Sequence, residues 1–503
     1  MPENEGEDSF AKFRFHPDYG EGYVGRKRPT IFIVRWAPSA ESVDAQSGGN
    51  VSPAVRAISV PSSATSNAAN ISFGQAQFVA DDTLFTTGYE YSEDGKRLGI
   101  KGCFNRPTAI WELKLDPVEL QLQLQLQHAA DSEPSLLADP AAALTAISAT
   151  KISDPNRASR SPRLIPGSNA ALWHSHELGG PHASCFSLHS FGLQARETTT
   201  VIPTVDKAQE NFMDGFAGLY AENLLARPFV RLGSRTFLLT RTSQGSRLEV
   251  ILVDLEKPES VVRLTPAESS EDLWSWSPLA TDGRKWVLAS RSAPTVPNEL
   301  ALGKLEEYGG KPRVAWQVIE MPSLTPRGEH LGIHWVYCCV SLILGFSGEC
   351  SARAQGHCAP YPRSIPSGDD PIGTKATQGT APGDCHTRWS PWSDSDSFHS
   401  VPGGICVTRM YDSHRLLSLS VGLADESRTH IDTLNIPNYT GSIGFGEFYV
   451  QKLIGKCGTL DVEDVKATVD HLVNGGKGEY GPGKQFVTGG SHGGFLTAHR
   501  ECN

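Results

Sequence analysis

Gln485-Phe486-Val487-Thr488-Gly489-Gly490-Ser491-His492-Gly493-Gly494-Phe495-Leu496-Thr497-Ala498 joins a short apolar run to a helix-forming run through a cluster of glycines. Its centre, Gly489-Gly490-Ser491-His492-Gly493, has the form G-x-S-x-G. The bare pattern arises by chance roughly half a time in a chain of this length and glycine content, so its position between strand and helix carries the reading. A strand that turns this sharply into a helix holds its central residue at strained backbone angles, and side chains two residues to either side would collide. Gly489 and Gly493 are therefore required, Gly490 completes the elbow, and Ser491 is the candidate nucleophile. The backbone amide of His492, at the helix start, is the candidate oxyanion donor. The bland alternative is a glycine-rich turn with a solvent-facing serine.

Working upstream, residues 431–503 read as α/β: a strand at 433–436, an acidic-started helix at 461–473, and the strand 485–488. Strands alternating with helices predict a largely parallel sheet. Gly478-Glu479-Tyr480-Gly481-Pro482-Gly483-Lys484-Gln485 nearly spells a phosphate-binding loop. Gln485 stands where a magnesium-binding Ser or Thr is needed, and a strand follows instead of a helix, so it reads as an ordinary loop.

Residues 15–324 carry a different pattern, short β-rich runs separated by turn residues. The clearest hairpin pairs 235–242 with 247–255 around Ser243-Gln244-Gly245-Ser246, and similar runs lie at 78–91, 110–115, 170–177 and 285–302. Groups spaced by roughly 40 to 50 residues suit propeller blades. Two stretches, 39–70 and 117–155, read as inserted loops or low complexity, the second containing Leu120-Gln121-Leu122-Gln123-Leu124-Gln125-Leu126. Residues 325–430 look foreign: rich in Gly, Pro, Ser and Cys, with an apolar run at 333–346 too short to cross a bilayer.

The formal charge of −11 is spread along 503 residues, which argues against nucleic acid or an anionic membrane as the main partner. Residues 1–14 form an acidic tail without the basic start and apolar core of a secretory signal, so a cytoplasmic location is expected. The 10 cysteines are scattered and form no C-x-x-C pair, and His174, His176 and His182 do not make a ligand set, so no metal site is expected.

Three blocks then occur in one order: Asn438-Tyr439-Thr440-Gly441-Ser442-Ile443-Gly444-Phe445-Gly446, Gly458-Thr459-Leu460-Asp461-Val462-Glu463-Asp464-Val465, and 489–494. Together they resemble the catalytic core of acylaminoacyl-peptidases in the prolyl oligopeptidase family of serine peptidases. Leu98-Gly99-Ile100-Lys101-Gly102-Cys103-Phe104-Asn105-Arg106, Ser161-Pro162-Arg163 and Trp274-Ser275-Trp276 resemble segments of that family's propeller. The resemblance implies a partial β-propeller followed by the first part of an α/β-hydrolase domain. It also implies removal of an N-acylated residue from short peptides, no cofactor, and frequent homo-oligomerisation. Ser491 matches the family's nucleophile and His492 its oxyanion amide.

The pattern departs from the family in three ways. The acid and the His of a triad follow the Ser in α/β-hydrolases, yet only residues 492–503 follow it here. His499 and Glu501 are carried away by the helix, so the triad Asp and His are expected to be absent from this chain. The propeller likeness also starts mid-domain. The third departure is the family's His-Gly-Gly-Pro-His-Gly loop, missing from its place; Gly179-Gly180-Pro181-His182 reads as a blade loop instead. Reading the codons of Asp384-Cys385-His386-Thr387-Arg388-Trp389-Ser390-Pro391-Trp392 one base later permits Ile-Val-Thr-His-Gly-Gly-Pro-His-Gly. Part of 325–430 is accordingly read as out-of-frame or unspliced translation, and a verified transcript encoding the stretch in this frame ends that reading. Two other functions stay open: a dipeptidyl- or oligopeptidase or esterase sharing the elbow, and a non-catalytic propeller fragment that acts by binding.

Overall fold

The computed structural model describes residues 10, 13–14, 16–20, 23–35, 54–100, 102, 104–120, 143–208, 215–266, 274–293, 296–320, 419–424, 431–435, 437–475, 485–489 and 491–501. They fall into two units, Met1–Gly332 with Asn438–Asp464, and Ile333–Pro437 with Val465–Asn503.

In the first unit four sheets follow one another along the chain. The first contains β1 (Phe32–Arg35), β2 (Ala54–Ser59), β3 (Ile71–Ala80), β4 (Thr83–Glu90), β5 (Thr108–Leu115) and β6 (Leu144–Lys151), in the order β1-β2-β6-β5-β4-β3. The second is a meander of β7 (Arg157–Leu164), β8 (Ala170–Glu177), β9 (Ser187–Gly192) and β10 (Thr198–Ile202). The third has β11 (Phe229–Leu232), β12 (Arg235–Gln244), β13 (Arg247–Asp254) and β14 (Val261–Arg263), and the fourth β15 (Ser275–Thr281), β16 (Trp286–Ala293), β17 (Val296–Tyr308) and β18 (Lys311–Glu320).

Side-chain alternation along each strand binds the sheets face to face, as in propeller blades. In β13, Ile251 and Val253 turn toward the second sheet, joining Leu172, Leu188 and Ile202 in one core. Val250 and Leu252 turn the other way and meet Trp276, Val287 and Ala301 of the fourth. β8 divides likewise, Leu172 to one side and Ala171 and Trp173 to the other, against Phe85 and Ile110 of the first sheet. Because both faces are covered, β13 is buried over nearly its whole length and apolar without a break from Val250 to Val253, and lacks the polar-out alternation of a surface strand. Trimming Ile251 to Val, one methylene from the core shared by the second and third sheets, is expected to cost about 1 kcal/mol in denaturant unfolding.

The hairpin read at 243–246 is real but tighter than expected. Gln244 pairs with Arg247, leaving a two-residue loop in which Gly245 takes φ +57°. Two strands lie inside the stretches read as insertions. β2 falls within 39–70, and β6 falls within 117–155, where it pairs antiparallel with β5. Ala146 and Ala149 of β6 are buried in the core with Leu113 and Leu115, so small residues there signify close packing and not low complexity. Residues 36–53 and 121–142 lie outside the described residues. So does 321–418, which holds the apolar run at 333–346 and most of the foreign stretch.

The second segment of this unit, 438–464, is stitched onto loops of the sheets. The Gly245 N–H donates to the Gly444 carbonyl (2.8 Å), and the Glu447 and Phe448 N–H groups donate to the carbonyls of Val205 (2.8 Å) and Asp206 (2.9 Å). Gly444 sits at φ +91°, where a Cβ would meet the Gly245 carbonyl oxygen at 2.7 Å, so only glycine fits. Helix α1 (Glu447–Gln451) presents the Glu447 carboxylate to the Cys185 N–H at 2.6 Å. Burial pushes the Glu447 carboxyl above the ordinary range. Helix α2 (Leu460–Gly475) follows, with Asp461 and Glu463 in its first turn, where the helix dipole favours negative charge.

In the second unit a three-stranded sheet has the order β20-β19-β21, with β19 at Leu419–Ala424, β20 at Ile431–Asn435 and β21 at Gln485–Gly489. Both pairings are antiparallel, which corrects the expectation of a largely parallel sheet. The expectation holds in one respect: β20 and β21, linked through helices, run the same way. They are separated by β19, which joins β20 through a connection too short to permit a parallel crossover. Helix α3 (His492–Glu501) closes the described chain. No helix among the described residues is long and apolar enough to cross a membrane.

Candidate active site

β21 ends at Gly489 and α3 begins at His492, so Ser491 stands at the bend between them. Its φ of +52° lies in the left-handed region, which costs a non-glycine residue roughly 1–2 kcal/mol and is concentrated at functional sites. The Ser491 carbonyl accepts the Phe495 N–H at 3.1 Å, the first helical hydrogen bond. That places Ser491 at the cap and leaves the amides of the following residues pointing out of the helix start. Ser491 is exposed.

The glycine requirement read from the sequence has a direct spatial cause. A Cβ on Gly489 would lie 2.6 Å from the Gly493 carbonyl oxygen and 2.7 Å from its Cα, because strand end and helix start are almost in contact. Gly493 is buried at that contact, and its carbonyl accepts the Thr497 hydroxyl at 2.8 Å. Gly490 lies outside the described residues. Gly489→Ala is expected to force the two backbones apart and lower the reactivity of Ser491 toward a fluorophosphonate at least about tenfold, measured as labelling rate.

The two nearby imidazoles are tied to the helix itself. The His492 ring packs on Phe495 (centroids 5.5 Å apart), Phe495 on His499 (4.1 Å), and His499 Nδ1 meets the Phe495 carbonyl oxygen at 3.0 Å. His499 sits two turns beyond Ser491, roughly 12 Å along the axis at 1.5 Å per residue. The helix therefore does not bring His499 to the serine.

Of the rival motifs, Gly179-Gly180-Pro181-His182 forms the β8–β9 connection. The Asn105 amide donates to the Gly180 carbonyl (2.7 Å), and the Phe104 N–H donates to the His182 carbonyl (3.1 Å). The near phosphate loop at 478–485 runs into strand β21; residues 476–484 lie outside the described residues.

Residues 9–329 match the family model described as acylamino-acid-releasing enzyme, N-terminal domain, and 433–499 match the prolyl oligopeptidase family. The acylamino-acid-releasing enzyme 1 of Oryza sativa subsp. japonica is 28% identical over 493 residues, covering 96% of this chain and 55% of its own. The acylamino-acid-releasing enzyme of Arabidopsis thaliana is 27% identical over 490 residues, with 96% and 55% covered. That of Homo sapiens is 24% identical over 489 residues, with 97% and 53% covered. The chain spans about half the length of the curated relatives it matches.

Proposed function

This chain belongs to the acylaminoacyl-peptidases of the prolyl oligopeptidase family, and on that footing we propose that it carries the nucleophile of a serine exopeptidase releasing N-acylated amino acids from short peptides. The observation that carries the proposal is Ser491 at the bend, with φ +52° and the Gly489–Gly493 contact beneath it. In the proposed reaction the Ser491 oxygen attacks the carbonyl of the acylated residue and its proton passes to a general base. The His492 amide stabilises the oxyanion. The tetrahedral species collapses, the peptide amine leaves with a proton, and water then hydrolyses the acyl-enzyme to free the acyl-amino acid. His499 is not that base, since it lies two helical turns beyond Ser491. The chemistry needs no metal or cofactor, and the proposed setting is the cytoplasm.

Incubation with a fluorophosphonate and mapping of the adduct tests the reading directly. The expected result is a single adduct on Ser491. Chromogenic acyl-alanine and dipeptidyl substrates, compared side by side, then separate the exopeptidase from the dipeptidyl-peptidase and esterase readings. Faster release from the dipeptidyl substrate overturns the substrate class, and no adduct at all favours a chain that acts by binding alone.

A further inference from the structure

The 438–464 segment is held to the four sheets chiefly through its backbone. Besides the bonds at Gly444, Glu447 and Phe448, the Gly446 N–H donates to Tyr220 Oη at 3.1 Å. Gly446 takes φ +95°, and a Cβ there would strike the Asp206 carbonyl oxygen, so backbone lies directly on backbone along this line. Apolar contact adds little. Among the described residues Ile443 is the one member of the segment that packs against the apolar core of the sheets, and it is only partly buried. Phe448 and Ile454 are 49% and 53% exposed. An attachment with so few apolar contacts opens readily, and a single adverse charge inside it weighs heavily.

Glu447 is where such a charge arises. The residue is 9% exposed; its Oε2 accepts the Cys185 N–H at 2.6 Å and its Oε1 accepts the Gln451 amide. Two donors favour the ionised carboxylate, yet burial outweighs them and raises the carboxyl above its ordinary range, with the negative charges of Glu177 and Asp206 acting in the same direction. The other titratable groups supply no countercharge. Cys185 and Tyr220 are pushed up by burial and stay neutral, and Lys207 Nζ lies over the Phe448 ring, 4.8 Å from its centroid.

We infer that the 438–464 segment is a pH-responsive clamp on the sheets, held fast while the Glu447 carboxyl is protonated and loosened when that carboxyl ionises against Glu177 and Asp206. The protonated acid keeps one oxygen for the Cys185 N–H and donates its proton to the Gln451 amide oxygen once that amide turns over. The ionised form leaves a negative charge in a buried seam, where it is costly. Residues 433–499 match the prolyl oligopeptidase family, so the clamp sets how firmly the sheets hold the beginning of that stretch.

Cys185, 1% exposed and bonded to Glu447, reports on the clamp. Its modification by a thiol reagent, located by peptide mass mapping on the full chain, is timed in the parent and in Glu447→Gln at each pH from about 4.5 to 8. The variant amide keeps an acceptor for the Cys185 N–H and removes the ionisation, and the ratio of the two rates cancels the reagent's own pH dependence. The rates should be equal at the low end. As pH rises the parent should gain on the variant by up to about tenfold per unit, levelling off above the folded value of Glu447. Hydrogen exchange in the parent alone, taken as the rate at the Cys185 amide relative to the amides of β13, repeats the measurement without a variant. That ratio cancels intrinsic exchange and global opening, and it should rise over the same window. A labelling ratio that stays flat with pH, or a Cys185 amide that does not gain on β13, overturns the proposal.

Discussion

Alanine at position 491 is expected to abolish covalent labelling and to reduce any release of acyl-amino acid on the order of 10⁶-fold, while stability stays within about 0.5 kcal/mol of the parent. The reasoning is local. Ser491 is exposed and its described polar contact runs through the backbone, from the Phe495 N–H to its carbonyl, which alanine preserves. Alanine meets the same left-handed penalty as serine at φ +52°, so the bend survives and only the nucleophile is lost. Unfolding by denaturant and fluorophosphonate labelling, run on the same preparations, keep the two effects apart. Labelling that persists in Ser491→Ala would place the reactive group elsewhere and remove the basis of the peptidase reading.

The second large effect is on stability. Acidification from pH 6.5 toward 4 is expected to destabilise the four-sheet unit, and His176 alone accounts for about 3 kcal/mol. Burial first, and the Arg160 charge second, push His176 down to about 4 and His174 well below its ordinary value. His176 is fully committed as the neutral tautomer: Nδ1–H donates to the Glu177 carbonyl (2.8 Å) and Nε2 faces the Arg160 guanidinium (3.3 Å). A proton on Nε2 would set donor against donor. His174 lies flat against Phe186, with centroids 4.7 Å apart and planes at 14°. The sign follows from proton counts. Between about 4 and 6.5 the unfolded chain binds these protons and the folded chain does not. The stabilisation is thus complete above 6.5 and is lost as pH falls through that window. Glu447, raised by burial, works oppositely, since its contribution is present at low pH and lost as pH rises through its folded value. Midpoints measured at several pH values for the parent, His174→Phe and His176→Gln decide the matter. The variants should show flatter profiles, and a parent whose stability does not change across the window disproves the account.

What could be read beforehand was what short-range chemistry dictates. The glycines around Ser491 announce a bend because only the smallest residue fits where strand and helix touch, and the same logic exposed the hairpin at Gly245. β8 (Ala170–Glu177) and the acidic start of α2 were equally legible. The misses arise where tertiary contact decides. β6, Leu-Thr-Ala-Ile-Ser-Ala-Thr-Lys, mixes small and polar residues around a single Ile, and burial between neighbours makes it a strand. The direction of β19 between β20 and β21 is a matter of pairing, which no local pattern records. Arg160 stands in Arg-Ala-Ser-Arg-Ser-Pro-Arg-Leu, which looks like a solvated strand. Its burial comes from the packing of the first two sheets, and the bulge at Ser161, with φ +58°, has no signature beyond the proline after it.

The 438–464 segment has a consequence for how the molecule is made. The carboxylate of Glu447 reaches the Cys185 amide across 262 residues of chain, and the partners of Gly444 and Phe448 are equally early. On a ribosome adding about 5–20 residues per second, the four sheets emerge on the order of ten seconds before the segment that finishes their surface. During that interval the nascent sheets display backbone donors and acceptors at 185, 205, 206 and 245 with nothing to receive them. Completion of the first unit is therefore a late event in synthesis, and the growing polypeptide is most open to chaperone capture or misassociation just before residue 447 leaves the exit tunnel.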